Sequence, residues 1–247
     1  EALANYPGTS NCGAYGNRNF FMFFNEWFGS TINNSSMHPG IKKRYEEIGG
    51  HNSVIGKENS ITFQSNNSIF QRFENGFIIG SEQTGYWENY GKIRNRFAQL
   101  GYEQGKMGLP TTQEFTTIRG GWFQKYQNGF IIGNPTAGYH ESSGKIRERW
   151  NKIGNEHGIL GFPTTDIFKY FNYEKQDFEK GTIIGNSLIG YWDIRGDVFK
   201  FYNSLSISDK EKIGAIEPEY FKNGQWIQKF SNGYISGAGS KYTFKIN

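Results

Sequence analysis

Eight residues recur four times along the chain. Phe73–Gly80 reads FENGFIIG, Tyr126–Gly133 reads YQNGFIIG, Phe178–Gly185 reads FEKGTIIG and Phe230–Gly237 reads FSNGYISG. The closing glycines stand 53, 52 and 52 residues apart. A fixed period near 50 residues restricts the chain to architectures made by stacking one supersecondary unit, because a unit of that size cannot bury its apolar face alone.

The unit is longer than its signature. Upstream of each signature stand Gly40–Gly50 (GIKKRYEEIGG), Gly91–Gly101 (GKIRNRFAQLG), Gly144–Gly154 (GKIRERWNKIG) and Gly196–Ser206 (GDVFKFYNSLS). In register, their apolar positions are Ile41/Tyr45/Ile48, Ile93/Phe97/Leu100, Ile146/Trp150/Ile153 and Val198/Tyr202/Leu205. Spacings of four and three residues make one stripe of a helix of about three turns. Gly49, Gly101 and Gly154 then stand where a left-handed cap ends the helix. Ser206 occupies that place in the fourth copy, which predicts a weaker cap.

The second half of each copy reads as strand. Gln71–Phe73 and Phe77–Ile79 flank Asn75-Gly76, a pair that suits the positive φ angles of a tight primed hairpin turn. The third copy has Lys180 for the Asn and keeps Gly181. A further strand follows at Thr84–Asn89, Ala137–Ser142 and Ile189–Ile194. Each unit is therefore expected to be helix, turn, hairpin, strand.

Between helix and hairpin stand Met107–Thr112 (MGLPTT) and Leu160–Thr165 (LGFPTT). On these residues the chain resembles the LGFP repeat family. The G-x-I-x-x-x-aromatic opening, the Q-x-aromatic-x-x-G hairpin and the closing small-Gly-aromatic agree with it in order. The resemblance spans roughly residues 39 to 247, with the first and fourth copies degenerate: Val54–Ser60 and Lys212–Pro218 keep Gly56 and Gly214 and lose the Pro of the motif. It implies a bacterial envelope protein, since such repeats are appended to enzymes such as mycolyltransferases or amidases and anchor them to the wall.

Thirty-three glycines and an aromatic content of 17% suit a β protein of many turns and small hairpin cores. Mean hydropathy is −0.68, and no stretch approaches the ~20 apolar residues of a membrane span. Phe20–Phe24 (FFMFF) is too short for one and reads as a buried strand. No signal peptide is visible, and a chain beginning at Glu1 reads as processed or trimmed. Cys12 stands alone, so no internal disulfide forms; a secreted bacterial protein is compatible with that.

The net charge is +4. Basic residues recur with the helices, at Lys92, Arg94, Arg96, Lys145, Arg147 and Arg149. Interleaved with Glu46, Glu47 and Glu148, they read as solvated helix faces rather than a nucleic-acid surface. A hydrolase requires a nucleophile with its base, paired carboxylates or a metal cluster. His38, His51, His140 and His157 occupy different repeat positions, and no H-E-x-x-H or G-x-S-x-G occurs. No catalytic residue, metal ligand or cofactor is expected.

What recurs instead is aromatic. Tyr86, Tyr139, Tyr191 and Tyr242 follow the last glycine of each unit, with Trp87, His140 and Trp192 beside the first three. Gln71, Gln124, Gln176 and Gln228 mark every hairpin, and Trp122 and Trp226 stand two residues before their Gln. Residues two apart share a strand face. The four Gln read as core residues, because a buried amide needs a partner. Aromatic plates beside polar groups suit the apolar face and hydroxyls of a sugar, so the expected ligand-binding residues are Trp87, Trp122, Tyr139, His140, Tyr191 and Trp192.

Phe24–Ile41 can be laid on Phe73–Ile93 as a worn repeat that has lost its helix. The expected organisation is one repeat domain over 1–247: a degenerate unit at 1–38, then repeats at 39–90, 91–143, 144–195 and 196–247. With no polar cap evident, the expected fold is mainly β with short helices, closed as a five-bladed β-propeller-like ring by the N-terminal unit packing on the last repeat. The expected function is noncatalytic carbohydrate binding, lectin-like or anchoring to a cell-wall polysaccharide, by a secreted or cell-surface protein. A structural or adhesive platform that docks proteins is the alternative, and a hydrolase stands behind both.

Overall fold

The computed structural model describes residues 36–65, 67–239 and 241–247. The worn unit at 1–38, except for its last three positions, lies outside the described residues, as do the strand expected at Phe20–Phe24 and Cys12. The chain divides into two compact units. One runs to Gly91 and includes Leu109–Thr111; the other comprises Lys92–Gly108 and Thr112–Asn247.

Helices α1 (Pro39–Glu47), α2 (Gly91–Gln99), α3 (Gly144–Lys152) and α4 (Gly196–Ser204) each bury the first two positions of the apolar stripe. In every repeat the second of these, an aromatic, packs on an aromatic of the hairpin. Ring centroids are 4.6 Å apart for Tyr45–Phe73, 4.8 Å for Phe97–Tyr126, 5.4 Å for Trp150–Phe178 and 5.7 Å for Tyr202–Phe230. Such pairs contribute about 0.5–1.5 kcal/mol each beyond the area they bury. Ser206 does not cap α4. The chain extends at Leu205, and the Ser206 hydroxyl accepts the amide of Asp209 at 3.0 Å, starting an added helix, α5 (Ile207–Ile213). A hydroxyl that accepts an orphan amide begins a helix more readily than it ends one.

Four antiparallel sheets of four strands follow the helices, with strands adjacent in chain order. The first holds β1 (Glu58–Ser65), β2 (Ser68–Phe73), β3 (Gly76–Ser81) and β4 (Gly85–Tyr90). The second holds β5 (Phe115–Thr116), β6 (Trp122–Tyr126), β7 (Gly129–Asn134) and β8 (Gly138–Ser143). The third holds β9 (Phe168–Tyr170), β10 (Tyr173–Phe178), β11 (Gly181–Asn186) and β12 (Gly190–Arg195). The fourth holds β13 (Ile216–Lys222), β14 (Gln225–Phe230), β15 (Gly233–Ala238) and β16 (Lys241–Ile246). The hairpin and last strand of each sheet match the sequence pattern. The leading strand does not repeat in sequence and was not expected.

The hairpin turns differ from expectation. Neither Asn75 nor Gly76 has positive φ. Arg72 pairs with Phe77 and the equivalent Lys125 with Phe130, and Tyr126 pairs with Gly129. The tips are instead held from outside by the segment that contains the LGFP motif. Asn75 N donates to Ile55 O and Glu74 N to Lys57 O, both at 2.9 Å. Lys180 N donates to Leu160 O and Glu179 N to Phe162 O, both at 3.0 Å; Asn128 N donates to Met107 O and Asn232 N to Ile213 O. Leu160, Gly161, Phe162 and Pro163 are all buried. The motif is thus a clasp on its own hairpin. Its glycine is required twice over: Gly161 has φ +75°, and a Cβ there would run into the Glu179 carboxylate, which accepts Phe162 N at 3.0 Å. The paired threonines complete the clasp, since Thr165 Oγ1 accepts Asp177 N at 3.0 Å and Thr112 Oγ1 accepts Lys125 N at 3.1 Å.

The four Gln are buried and bind the leading segment. Gln71 Nε2 donates to Ser60 O at 3.0 Å, Gln124 to Thr112 O at 2.8 Å, Gln176 to Thr165 O at 2.9 Å and Gln228 to Glu217 O at 2.5 Å.

A closed five-bladed ring is not supported, because none of the four sheets closes. Within the second unit the repeats bury faces against one another in sequence. Ile132, of the second sheet, shares a core with Trp150, Phe162, Phe178 and Ile183; Ile184 and Ile194, of the third, share one with Val198, Tyr202, Phe230 and Ile235. The fourth sheet breaks the pattern. Ile79, Ile132 and Ile184 are each 2% exposed, and Ser236 takes their place; Thr243 stands where Trp192 does and Lys245 where Ile194 does. That face is mixed, with Lys229, Ser236, Thr243 and Lys245 beside Tyr220, Ile227 and Tyr234.

Candidate functional site

The expected ligand-binding residues separate onto opposite faces of their sheets. On one face, Trp122, Gly133 and Tyr139 are register partners across β6, β7 and β8. The alternation along β6 buries Gln124 and Tyr126 and leaves Trp122 37% exposed at the end of the strand. Gly133 lies between the two rings under the β7–β8 loop, where any Cβ would meet the Gly138 carbonyl. The fourth sheet repeats the row as Trp226–Gly237–Tyr242, with Trp226 45% exposed. In the third sheet the row is Glu174–Gly185–Tyr191. There the Tyr191 hydroxyl donates to the Glu174 carboxylate, and burial, then that carboxylate, push the phenol up to about 12.

On the other face, Trp87, His140 and Trp192 have the edge of each ring fixed by its own loop. Trp87 Nε1 donates to Thr84 O at 2.7 Å and Trp192 Nε1 to Ile189 O at 3.0 Å; His140 Nε2 lies 3.1 Å from Ala137 O. A helix arginine covers two of these rings. Arg44 lies 4.9 Å from the Trp87 centroid and Arg149 5.2 Å from that of Trp192. The same arginines bind the acid that follows the ring: Arg44 Nε donates to Glu88 at 2.7 Å and Arg149 Nε to Asp193 at 2.9 Å. In the second sheet His140 replaces Trp, and the ion pairs rearrange. Arg96 pairs with Asp166, and Lys106 with the fully buried Glu141. Burial lowers the pKa of His140; Asp166 lies 3.6 Å from its Nδ1 but is already matched by Arg96.

The basic helix faces are therefore only partly solvated. Lys92 and Lys145 are exposed, whereas Arg94, Arg96, Arg147 and Arg149 are half-buried. Arg147 lies 4.1 Å over Phe130 and 4.9 Å over Trp150, and burial lowers its pKa to about 10. Guanidinium groups stack on aromatic planes and keep their charge, a combination that charge counting alone cannot distinguish from a surface lysine.

Sequence reading did not single out a cleft of about 820 Å³ between the third and fourth repeats. Trp226, Tyr242, Phe199 and Ile159 supply its apolar walls, and Arg195 and Glu219, bonded to each other, stand among its polar groups. Burial raises the pKa of Glu219, and Arg195 partly offsets the shift. The signal that points to the cleft in sequence is Trp226 at the register position of Trp122. Among the described residues no group of three or more His, Cys, Asp or Glu is placed to hold a metal, and no helix is long and apolar enough to cross a membrane.

Residues 58–105 and 107–158 match the LGFP repeat family, whose members are cell-wall-associated. Each match runs from one sheet through the following helix to the glycine-capped turn beyond it. No curated protein matches the chain. Among solved structures, the extracellular domain of a one component system from B. thetaiotaomicron aligns with 70% of this chain at 11% identity. The aligned part is 22% of that chain's length and the TM-score is 0.18, so the alignment assigns neither fold nor function.

Proposed function

We propose, on the premise that residues 58–105 and 107–158 are LGFP repeats, that this is a noncatalytic glycan-binding protein of the bacterial cell surface. The observation that carries the reading is the repeated row Trp122–Gly133–Tyr139 and Trp226–Gly237–Tyr242, in which a partly exposed indole and a tyrosine flank a glycine covered by its own loop. An indole face accepts the C–H face of a pyranose, and neighbouring polar groups take its hydroxyls. Tyr191, in the equivalent row of the third sheet, belongs to the same proposal, and Trp87, His140 and Trp192 are proposed as separate contacts on the opposite sheet faces. Two of the histidines are engaged locally: His38 Nδ1 accepts Gly40 N at 3.2 Å, and His157 lies 3.1 Å from Glu156.

The test is a glycan array and a pull-down with insoluble wall polysaccharide, using wild-type protein, Trp122→Ala and Trp226→Ala. Loss of binding in either variant at unchanged melting temperature supports the reading. Wild-type protein that binds no glycan, or two variants that bind as wild type does, removes it. A protein-docking platform is the second reading, favoured by Ile118 and Leu188, which are 95% and 91% exposed in loops.

A further inference from the structure

The cleft between the third and fourth repeats differs from its counterpart one repeat earlier at two positions. Phe199 stands three residues into α4, where α3 carries Arg147. Trp226 stands at the register position where the third sheet carries Glu174. In the earlier repeat, Arg147 is folded over Phe130 and Glu174 is tied to Tyr191. In the later one both positions are aromatic and line an open cleft whose volume falls within the ~300–1,000 Å³ of small-ligand sites.

Most of the charges that line the cleft are already matched; Lys180, exposed at the tip of the third hairpin, is the exception. Arg195 binds Glu219, Lys200 Nζ lies 2.8 Å from Asp197, and Arg119 lies 2.9 Å from Glu179. An anionic polymer entering the cleft gains Lys180 alone and has to break one of these pairs for any further cation. An uncharged sugar leaves them intact and uses their remaining lone pairs and N–H groups for its hydroxyls. We infer that this cleft binds an uncharged glycan, one pyranose face resting on Trp226 opposite Phe199. This rests on the glycan-binding reading above and names the ligand class of one of its two rows.

The test is tryptophan fluorescence titration of the whole protein with three probes: N-acetylglucosamine tetramer, mannose tetramer and, as the anionic probe, a hyaluronan oligomer. Each is measured at about 50 and 500 mM NaCl, a range over which exposed charge interactions are largely screened. The expected result is binding of an uncharged tetramer that changes less than about twofold with salt and weakens about tenfold in Trp226→Ala. Phe199→Arg, which restores the residue of the preceding helix, is expected to weaken it as well. Binding confined to hyaluronan, or lost at high salt, overturns the uncharged ligand and leaves glycan binding standing. Uncharged binding that survives both Trp226→Ala and Phe199→Arg but is lost in Trp122→Ala overturns the cleft and leaves the other row. Wild-type protein that binds none of the three overturns this inference, and the array decides separately whether the glycan reading falls with it.

Discussion

Arg149 and Asp193, 44 residues apart in sequence, meet at 2.9 Å between guanidinium Nε and carboxylate oxygen. The spacing recurs: Arg44 and Glu88, also 44 apart, make the same bond at 2.7 Å. The fourth repeat discards the charge, with Phe201 and Phe244 at the two positions and both packed against the core. One chain thus holds the ionic and the apolar solution to the same junction.

Removing one partner leaves the other uncompensated, and Asp193 also holds Arg195 at 2.8 Å. Asp193→Ala is expected to cost about 3 kcal/mol in urea unfolding. The double change Arg149→Phe with Asp193→Phe, which copies the fourth repeat, is expected to cost less than that single change. A double variant at least as unstable as the single one means that the fourth repeat's solution does not transfer.

Gly161→Ala places a methyl group in the left-handed region and against the Glu179 carboxylate. The expected loss is about 2 kcal/mol, the upper end of the backbone cost alone. In a Glu179→Ala background the increment is expected to shrink, because part of the clash is gone. Equal increments in both backgrounds assign the whole cost to backbone strain.

His140 titrates below its usual pKa of 6.5 because its ring is buried. The unfolded chain therefore takes up this proton first, so stability is complete above pH 6.5 and falls as pH drops below it. Replacing it with the residue of the first and third sheets, in His140→Trp, is expected to flatten that acid limb. Melting temperatures of the two proteins between about pH 5 and 7 make the comparison. Parallel acid limbs would falsify the assignment to His140.

Tyr191, raised to about 12, shows the opposite sign: its contribution is present below pH 10 and is lost as pH rises toward 12. Glu174→Gln is expected to bring the phenol back toward 10 without freeing it from burial, which is the larger cause. Near-ultraviolet titration of the tyrosinates, with Tyr191→Phe to identify the signal, follows the change.

Trp192 sits under Arg149 and packs against the core of the third and fourth repeats. Trp192→Ala is expected to cost about 2 kcal/mol, short of the ~3–5 of a fully buried Trp, whereas Trp226→Ala leaves stability unchanged. Thermal melts separate the two. Equal losses would return Trp226 to the core.

Periodicity made the helix stripe, the hairpin and the last strand legible, because Ile93/Phe97 and Gln124/Tyr126 obey their own spacings in each copy. The clasp was visible as a motif but not as a clasp, since Gly161 and the Glu179 tip meet only once the chain has folded back. The leading strands escaped because Phe115–Thr116 and Phe168–Tyr170 share no repeated residues. Arginine was misjudged for a related reason: Arg149 and Lys145 carry the same charge on one helix, yet only Arg149 has a ring and a carboxylate within reach. The cleft depends on Phe199 and Trp226, whose strangeness appears only against their counterparts Arg147 and Glu174.

The separation of clasp from inter-repeat face also makes the molecule extensible. A clasp grips the hairpin of its own repeat, whereas Ile132 and Ile184 address the neighbour, so folding instructions and joining instructions occupy different residues. Duplicating a stretch of about 52 residues ahead of the fourth repeat adds one more isoleucine face and one more partner for it, and leaves the fourth sheet as it is.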